Sequence, residues 1–416
     1  MKQTLIEKII SNKLGKNVYS GDTEFVPIDL VMATDGTAPL ALKIFEKYNI
    51  KKVLNPEKIV FVNDHFVPAP NISTANLAVL IEKFAKKYGI SNYKIGRGGI
   101  CHILLPELNL IKPYDIVLGA DSHTCTYGGL GAFSSGIGST DLACVMATGK
   151  LWLRVPETIK INISGKFKKN VGPKDLILYI IKTLGENGAS YKAIEFHGNT
   201  LKDIDMSGRL TICNMVVECG AKAGIFNVDD ITKKHFEKAG FKNIQQIFPD
   251  KDAVYERTLD IDVSNLEPQI ACPYSPTNVI NASDLIGTKI DQVVLGSCTN
   301  GRIEDFRMAY KYLKGRKVHN DVKLIIIPGS QKVLKQIEEE GMLDDFINSN
   351  AVIAPPTCGP CMGGHMGVLG KGEIGLYTTN RNFYGRNGDP TSKVYLCNPI
   401  IAVYSALEGS IQIPNF

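Results

Sequence analysis

Short apolar runs and one-sided amphipathic stretches alternate along this chain, and that alternation sets the first expectation. Ile59–Val62 and Ile116–Leu118 are continuous apolar runs short enough to be buried strands. Between them, Asn76–Tyr88 repeats Leu77, Leu80, Ile81 and Phe84 on one helical face, and Pro39 opens a helix that carries Ile44 and Phe45. A glycine-rich loop and an alanine-rich helix at Asp141–Leu151 follow. Beyond Val155-Pro156 the character changes: Ile159–Ile163 alternates apolar with polar residues, and 165–172 reads as a charged turn. Helices are expected at Asp175–Leu184 and Ile212–Ala223, then a lysine-rich polar stretch from Asp229 to about Glu256. Pro268, Pro273 and Pro276 mark a second linker, after which strands resume at Gln292–Leu295, Val322–Ile327, Ala351–Ile353 and Gly375–Tyr377. Strand–helix alternation of this kind belongs to α/β folds with mostly parallel sheets. We expect three α/β domains, 1–156, 157–285 and 286–416, around a central cleft.

Polar residues capable of chemistry fall just past the ends of these strands. Asp64 and His65 follow one; Asp121, Ser122 and His123 follow another. Cys298, then Cys358 and Cys361, then Asn380 and Arg381 follow three more. A single polar residue after a strand is ordinary turn chemistry. Open α/β sheets bind ligands outside the carboxyl ends of their strands, so five such ends point to one shared site.

Composition narrows the class without naming it. Hydrophobic residues are 44% and charged residues 21% of 416, ordinary values for a globular protein. The net charge of +5 comes without a long basic run, which argues against nucleic acid as a partner. Ten cysteines are far too few for a disulfide scaffold, and the N-terminus lacks the apolar core of a secretory signal. No apolar run is long enough to span a membrane. A cytoplasmic protein with free thiols is the expectation.

The cysteines admit several readings on spacing alone. Cys358-x-x-Cys361 is compatible with a redox pair, or with half a zinc site completed by His365. With Cys298 it makes three thiolates, one short of a closed tetrahedral site, an arrangement that leaves a position for substrate. Cys101, Cys125, Cys144, Cys213, Cys219, Cys272 and Cys397 are expected to be small core residues, and His197, His235 and His319 structural or surface ones. The glycines of 128–138 do not match the dinucleotide fingerprint.

Four motifs in order carry a resemblance: Asp-Ser-His-Thr (121–124), Gly-Ser-Cys-Thr-Asn (296–300), Cys-Gly-Pro-Cys-Met-Gly (358–363) and Asn-Arg-Asn-Phe-x-Gly-Arg (380–386). Together they resemble the aconitase superfamily, from about residue 3 to the C-terminus, and within it the large subunits of its two-subunit hydro-lyases. The resemblance implies a [4Fe–4S] cluster on Cys298, Cys358 and Cys361, one iron lacking a protein ligand and acting as a Lewis acid. It implies that Asp64 and His65 assist departure of a hydroxyl, with His102, Asp121, His123 and Glu218 grouped around that oxygen. Asn214 and Asn300 would lie near cluster or substrate, and Ser122, Arg381 and Arg386 would bind the substrate. The implied reaction is dehydration and rehydration of a small-molecule 2-hydroxy diacid. The expected substrate is 2-isopropylmalate, in leucine biosynthesis, with citramalate, homocitrate and dimethylmalate as alternatives.

Two departures from the family pattern matter. The chain ends at Phe416, where fused aconitases continue into a swivelling fourth domain that carries a serine base. A separate small subunit is therefore expected to supply that base, in a heterodimer or heterotetramer. Thr34 precedes Asp35 where aconitase has glutamine, which argues against citrate. The rival from another class is a cluster-free RNA-binding relative, disfavoured by the modest charge and the retained histidines and arginines.

Overall fold

A computed structural model describes residues 2–414. Three sheets dominate it, each drawing mainly on one stretch of the chain. The first has five parallel strands in the order Ser91–Tyr93, Ile59–Val62, Leu30–Thr34, Ile116–Gly119, Phe133–Gly136. The second has four parallel strands, Ala223–Phe226, Ala193–His197, Thr158–Ser164 and Arg257–Asp262. The third has seven, with Lys393–Leu396, Ile374–Tyr377, Gln292–Leu295, Lys323–Ile326 and Val352–Ile353 running parallel. Buried Ile, Val and Leu fill the inner strands of all three, as parallel sheets covered on both faces require.

The remaining two strands of the third sheet, Gln269–Ala271 and Val279–Asn281, form an antiparallel hairpin at its edge. The proline-punctuated stretch expected to be a linker is this hairpin. Pro268 precedes its first strand, and Pro273 and Pro276 sit in the turn, where no ladder hydrogen bond is needed. Sheet membership accordingly changes between Asp262 and Gln269.

Two expected helices end sooner than their patterns suggest. The alanine-rich helix spans Ser139–Thr148 and stops at Gly149, whose φ of 69° is left-handed and favours glycine. Lys150–Arg154 then pairs antiparallel with Thr23–Pro27 in a two-stranded ribbon. The helix expected at Ile212–Ala223 runs instead over Met206–Met215, capped by the Asp205 carboxylate on the Gly208 N–H. A 3₁₀ turn at Val216–Cys219 follows it, and then a strand. Residues 207–215 are buried all round, so no apolar stripe marks where this helix begins.

The glycine-rich loop is a packing device. Residues 122–130 coil as a 3₁₀ segment between that buried helix and the strand Ala223–Phe226. A Cβ on Gly128 would lie 1.6 Å from the Gly224 carbonyl oxygen, and one on Gly129 2.8 Å from the Leu210 nitrogen. This close contact joins the first and second sheets directly behind Asp121–His123.

Candidate active site

Five parallel strands deliver their C-terminal ends to one cavity of about 810 Å³. Its lining includes His65, His102, Asp121, Ser122, His123, Cys298, Cys358, Cys361, Asn380, Arg381 and Arg386. The expected cleft therefore exists, and residues more than 300 positions apart share it.

One hydrogen-bonded network runs through its polar wall. His65 Nδ1 donates to Asp64 Oδ1 at 2.7 Å, and its Nε2 lies 3.6 Å from Asp121 Oδ2. Asp121 Oδ1 accepts from His102 Nε2 at 2.9 Å and from the His123 backbone N–H at 2.8 Å. His123 Nε2 donates to Glu218 Oε1 at 2.8 Å. Arg381 Nε reaches both Glu218 oxygens, at 2.8 and 3.0 Å, while its Nη1 donates to Ser122 Oγ at 2.9 Å.

Charge in this network is fixed by neighbours rather than by water. Burial pushes the His65 imidazolium toward deprotonation. The carboxylates of Asp64, Asp121 and Asp35 outweigh that and raise its pKa to about 10. Burial works against the Asp121 carboxylate too, but the His102 hydrogen bond and the charges around it hold it well below the usual carboxylate range. Glu218 is likewise kept ionised against its burial by His123 and Arg381.

The backbone of Asp64 ties this wall to the cysteine loop. Its carbonyl accepts from the Cys358 N–H at 2.7 Å and from Thr357 Oγ1 at 2.9 Å. Its Oδ2 accepts from the Cys101 N–H at 2.8 Å, at the start of the helix Cys101–Glu107 that carries His102. A buried carboxylate thereby caps a helix whose own Ile100 offers no side-chain cap.

The three cysteines line this same cavity. Burial, reinforced by Cys361, pushes the Cys298 thiol up to about 12, and burial with the Asp64 charge raises Cys358 as well. Amide hydrogens already point at the sulfur: Asn214 Nδ2 lies 3.3 Å and Asn380 Nδ2 3.1 Å from Cys298 Sγ. Such N–H···S contacts stabilise thiolate ligands and tune the metal they hold. Among the described residues, the group of three potential ligand atoms mutually within 4.8 Å is Asp64, His65 and Cys358, not the three cysteines. A single zinc ion would gather its sulfurs to about 3.8 Å from one another. The fourth ligand that spacing offered for zinc is engaged elsewhere. His365 Nε2 is bonded to the Pro68 carbonyl at 2.7 Å.

Some expected residues sit elsewhere than the cavity lining. Asn214 is fully buried behind it, its amide shared among Cys298, Thr126, Thr299 and Asn380. Asn300 faces away: its Nδ2 donates to Asp305 Oδ1 at 2.8 Å, and it lines a separate cavity of about 250 Å³. Glu218 and Asp64 act from just beneath the surface. Cys144 is exposed rather than core, and Cys101 borders the cavity.

Other contributors were assigned no role in the sequence. Asp35 accepts backbone hydrogen bonds from Asp64, His65 and Phe66 at 3.2, 2.9 and 2.8 Å, and so sets the turn that presents His65. Its place just past the strand Leu30–Thr34 was the available signal. Tyr127 Oη meets His102 Nδ1 at 3.0 Å. Asn380, adjacent to Arg381 in the motif, bridges Cys298 and Cys361. Trp152, Leu153, Tyr191 and Val217 make one side of the cavity apolar, a wall that no motif announces.

The family model described as the aconitase family (aconitate hydratase) matches residues 7–409. The chain is 50% identical over 417 residues to the protein of Thermodesulfovibrio yellowstonii named 3-isopropylmalate dehydratase large subunit, covering 100% of this chain and 99% of that one. The protein of that name from Moorella thermoacetica is also 50% identical, with the same coverage. Among solved structures, the holo-form of Thermococcus kodakaraensis aconitase X superposes with a TM-score of 0.51, 14% identity, and 92% and 94% coverage. That likeness speaks for the fold alone. With its cysteines, histidine–carboxylate pairs and arginines converging on one cavity, the chain belongs to the aconitase family.

Proposed function

We propose that this chain is the large, catalytic subunit of a hydro-lyase that interconverts 2-isopropylmalate and 3-isopropylmalate by dehydration and rehydration. The observation that carries this reading is the single cavity shared by Cys298, Cys358, Cys361, His65 and Arg381. The curated relatives near 50% identity supply the substrate, and the reaction serves leucine biosynthesis. An iron–sulfur cluster is the cofactor, and a [4Fe–4S] cluster on the three cysteines is the form that fits them. When bound, it supplies a Lewis acid that weakens the carbon–oxygen bond being broken.

The chain's own residues do the rest. Arg381 and Arg386 offer guanidinium forks to a substrate carboxylate, with Ser122 beside them. His65 donates the Nε2 proton to the departing hydroxyl, which leaves as water, while Nδ1–H remains on Asp64. The same atom takes the proton back from water in the return direction. His102 and His123, each anchored on a carboxylate, keep their ring orientations fixed at that oxygen. The carbon-bound proton goes to a base on the small subunit. The apolar side at Trp152, Leu153 and Val217 gives an alkyl substituent somewhere to lie.

Anaerobic co-purification with the cognate small subunit, followed by assay on 2-isopropylmalate, tests this. Formation of 3-isopropylmalate is expected, with citramalate poorer and homocitrate rejected. Turnover of homocitrate in preference to isopropylmalate would overturn the substrate assignment.

A further inference from the structure

Behind the cavity lies a charge that nothing above uses. Lys174 sits in the first turn of the helix Pro173–Leu184 and is only 2% exposed. Its Nζ donates to the Thr378 carbonyl at 3.0 Å and the Thr379 carbonyl at 2.6 Å. Among the described residues no carboxylate oxygen lies within 4.0 Å of it. Two costs therefore fall on the same group. A buried ammonium without an ion partner is strongly disfavoured. The N-terminal end of a helix, where the macrodipole is positive, disfavours a cation further.

The groups that would act on Lys174 when charged are Cys397, Cys298, Asp305 and Cys361. Asp305 is already faced by Arg302, whose backbone N–H it accepts, and it also holds the Asn300 amide. Cys397 is a buried lone thiol, kept protonated by that burial. Cys298 and Cys361 differ in being proposed cluster ligands, and a ligating cysteine is a thiolate. The path between them and Lys174 is short and rigid. Thr378 O also accepts from Ser297 Oγ, next to Cys298, and Thr379 directly precedes Asn380, whose amide touches Cys298 and Cys361.

We infer that Lys174 is the buried counter-charge to the cluster on Cys298, Cys358 and Cys361, and that it positions the loop delivering Asn380 and Arg381. This rests on the cluster assignment made under the proposed function. A thiolate-ligated cluster brings net negative charge into a water-poor site, and a fixed ammonium held at carbonyl oxygens offsets it. The same ammonium fastens Thr378 and Thr379, so cluster charge and arginine placement are set by one side chain. Lys174 touches no reacting atom; it is a positioning residue.

The test uses the full chain with its small subunit, purified anaerobically, and reads the one-electron reduction potential of the cluster by dithionite titration with mediators. Iron and sulfide are counted first in the wild type; their absence would sink the cluster assignment, a failure separate from that of Lys174. Lys174→Gln keeps N–H donors and removes the charge, Lys174→Met removes both, and Lys174→Arg keeps the charge. A unit charge within about 10 Å at an effective dielectric near 20 shifts such an equilibrium by about tenfold. Both neutral variants should therefore move to more negative potential by about 59 mV, the tenfold equivalent for one electron. They should also bleach faster in air, and Lys174→Arg should stay near the wild type. A wild-type potential in Lys174→Gln would reduce the residue to a strut and overturn the inference. So would neutral variants that fail to fold even before the cluster is loaded, since the charge would then serve the fold and not the cluster.

Discussion

Replacing Arg381 by lysine separates charge from geometry at the substrate end of the cavity. The arginine makes three contacts through two of its nitrogens: Nε to both oxygens of Glu218, and Nη1 to Ser122 Oγ. Glu218 is 2% exposed and Arg381 19%, so both ends of the pair are shielded from water. A lysine retains the positive charge but ends in one tetrahedral ammonium. It satisfies either Glu218 or Ser122 and leaves no second fork for a carboxylate. A lost hydrogen bond to a charged group costs about 1.5–3 kcal/mol. Two such losses at the transition state amount to roughly 3–6 kcal/mol, or about 10²–10⁴-fold in kcat/KM. Glu218 keeps its His123 bond, which should limit collapse of the site. With the small subunit present, the unsaturated diacid is followed by its ultraviolet absorbance, and cluster content by visible absorbance and iron analysis. The expectation is intact cluster with at least a hundredfold loss of kcat/KM. Glu218→Gln combined with Arg381→Lys should be far less than additive, because the two groups act as a pair. An Arg381→Lys enzyme within tenfold of wild type would refute the fork.

Three further outcomes follow from the same structure. Serine at Cys298, Cys358 or Cys361 should each abolish the bound iron and sulfide. Serine at exposed Cys144 should leave both unchanged. Removing His65 as alanine should retain the cluster's absorbance and lower turnover by about 10²–10⁴-fold, the usual contribution of a positioned acid. Asp115 carries a carboxyl whose pKa burial raises to about 6. Its charged form therefore destabilises the fold above that pH, an effect absent below the ordinary carboxylate range. Asp115→Asn should raise the melting temperature at pH 8 and change it little at pH 4, and equal shifts at both would contradict the linkage.

The motifs and the strand–helix rhythm made the class, the mostly parallel sheets and the cavity's cysteines, histidines and arginines legible beforehand. Local rules sufficed there. A buried parallel strand is a short apolar run, and the residue just after it must turn into solvent or a cleft. Where those rules failed, a glycine stop or a neighbour distant in the chain had decided. Gly149 and Gly220 end two elements that periodicity alone would have continued. The hairpin at Gln269–Ala271 looked like a linker because its pairing partners are Val279–Asn281 and Leu396.

The sequence by itself determined which residue types stand at the strand ends, and in which order their motifs occur. Only the tertiary structure decided what each one faces. Asp35 presents His65 through backbone groups 29 to 31 positions away. Asp64 caps a helix at Cys101 and suspends the loop of Cys358. Asn214 turns its amide to sulfur, while Asn300, of the same type and nearer to Cys298 in sequence, turns away to Asp305. Lys174 finds carbonyls more than 200 residues further on. Periodicity and motif spacing encode the element a residue belongs to. Hydrogen-bond partners, burial and the charge a group can carry depend on which elements pack together, and no local pattern contains that.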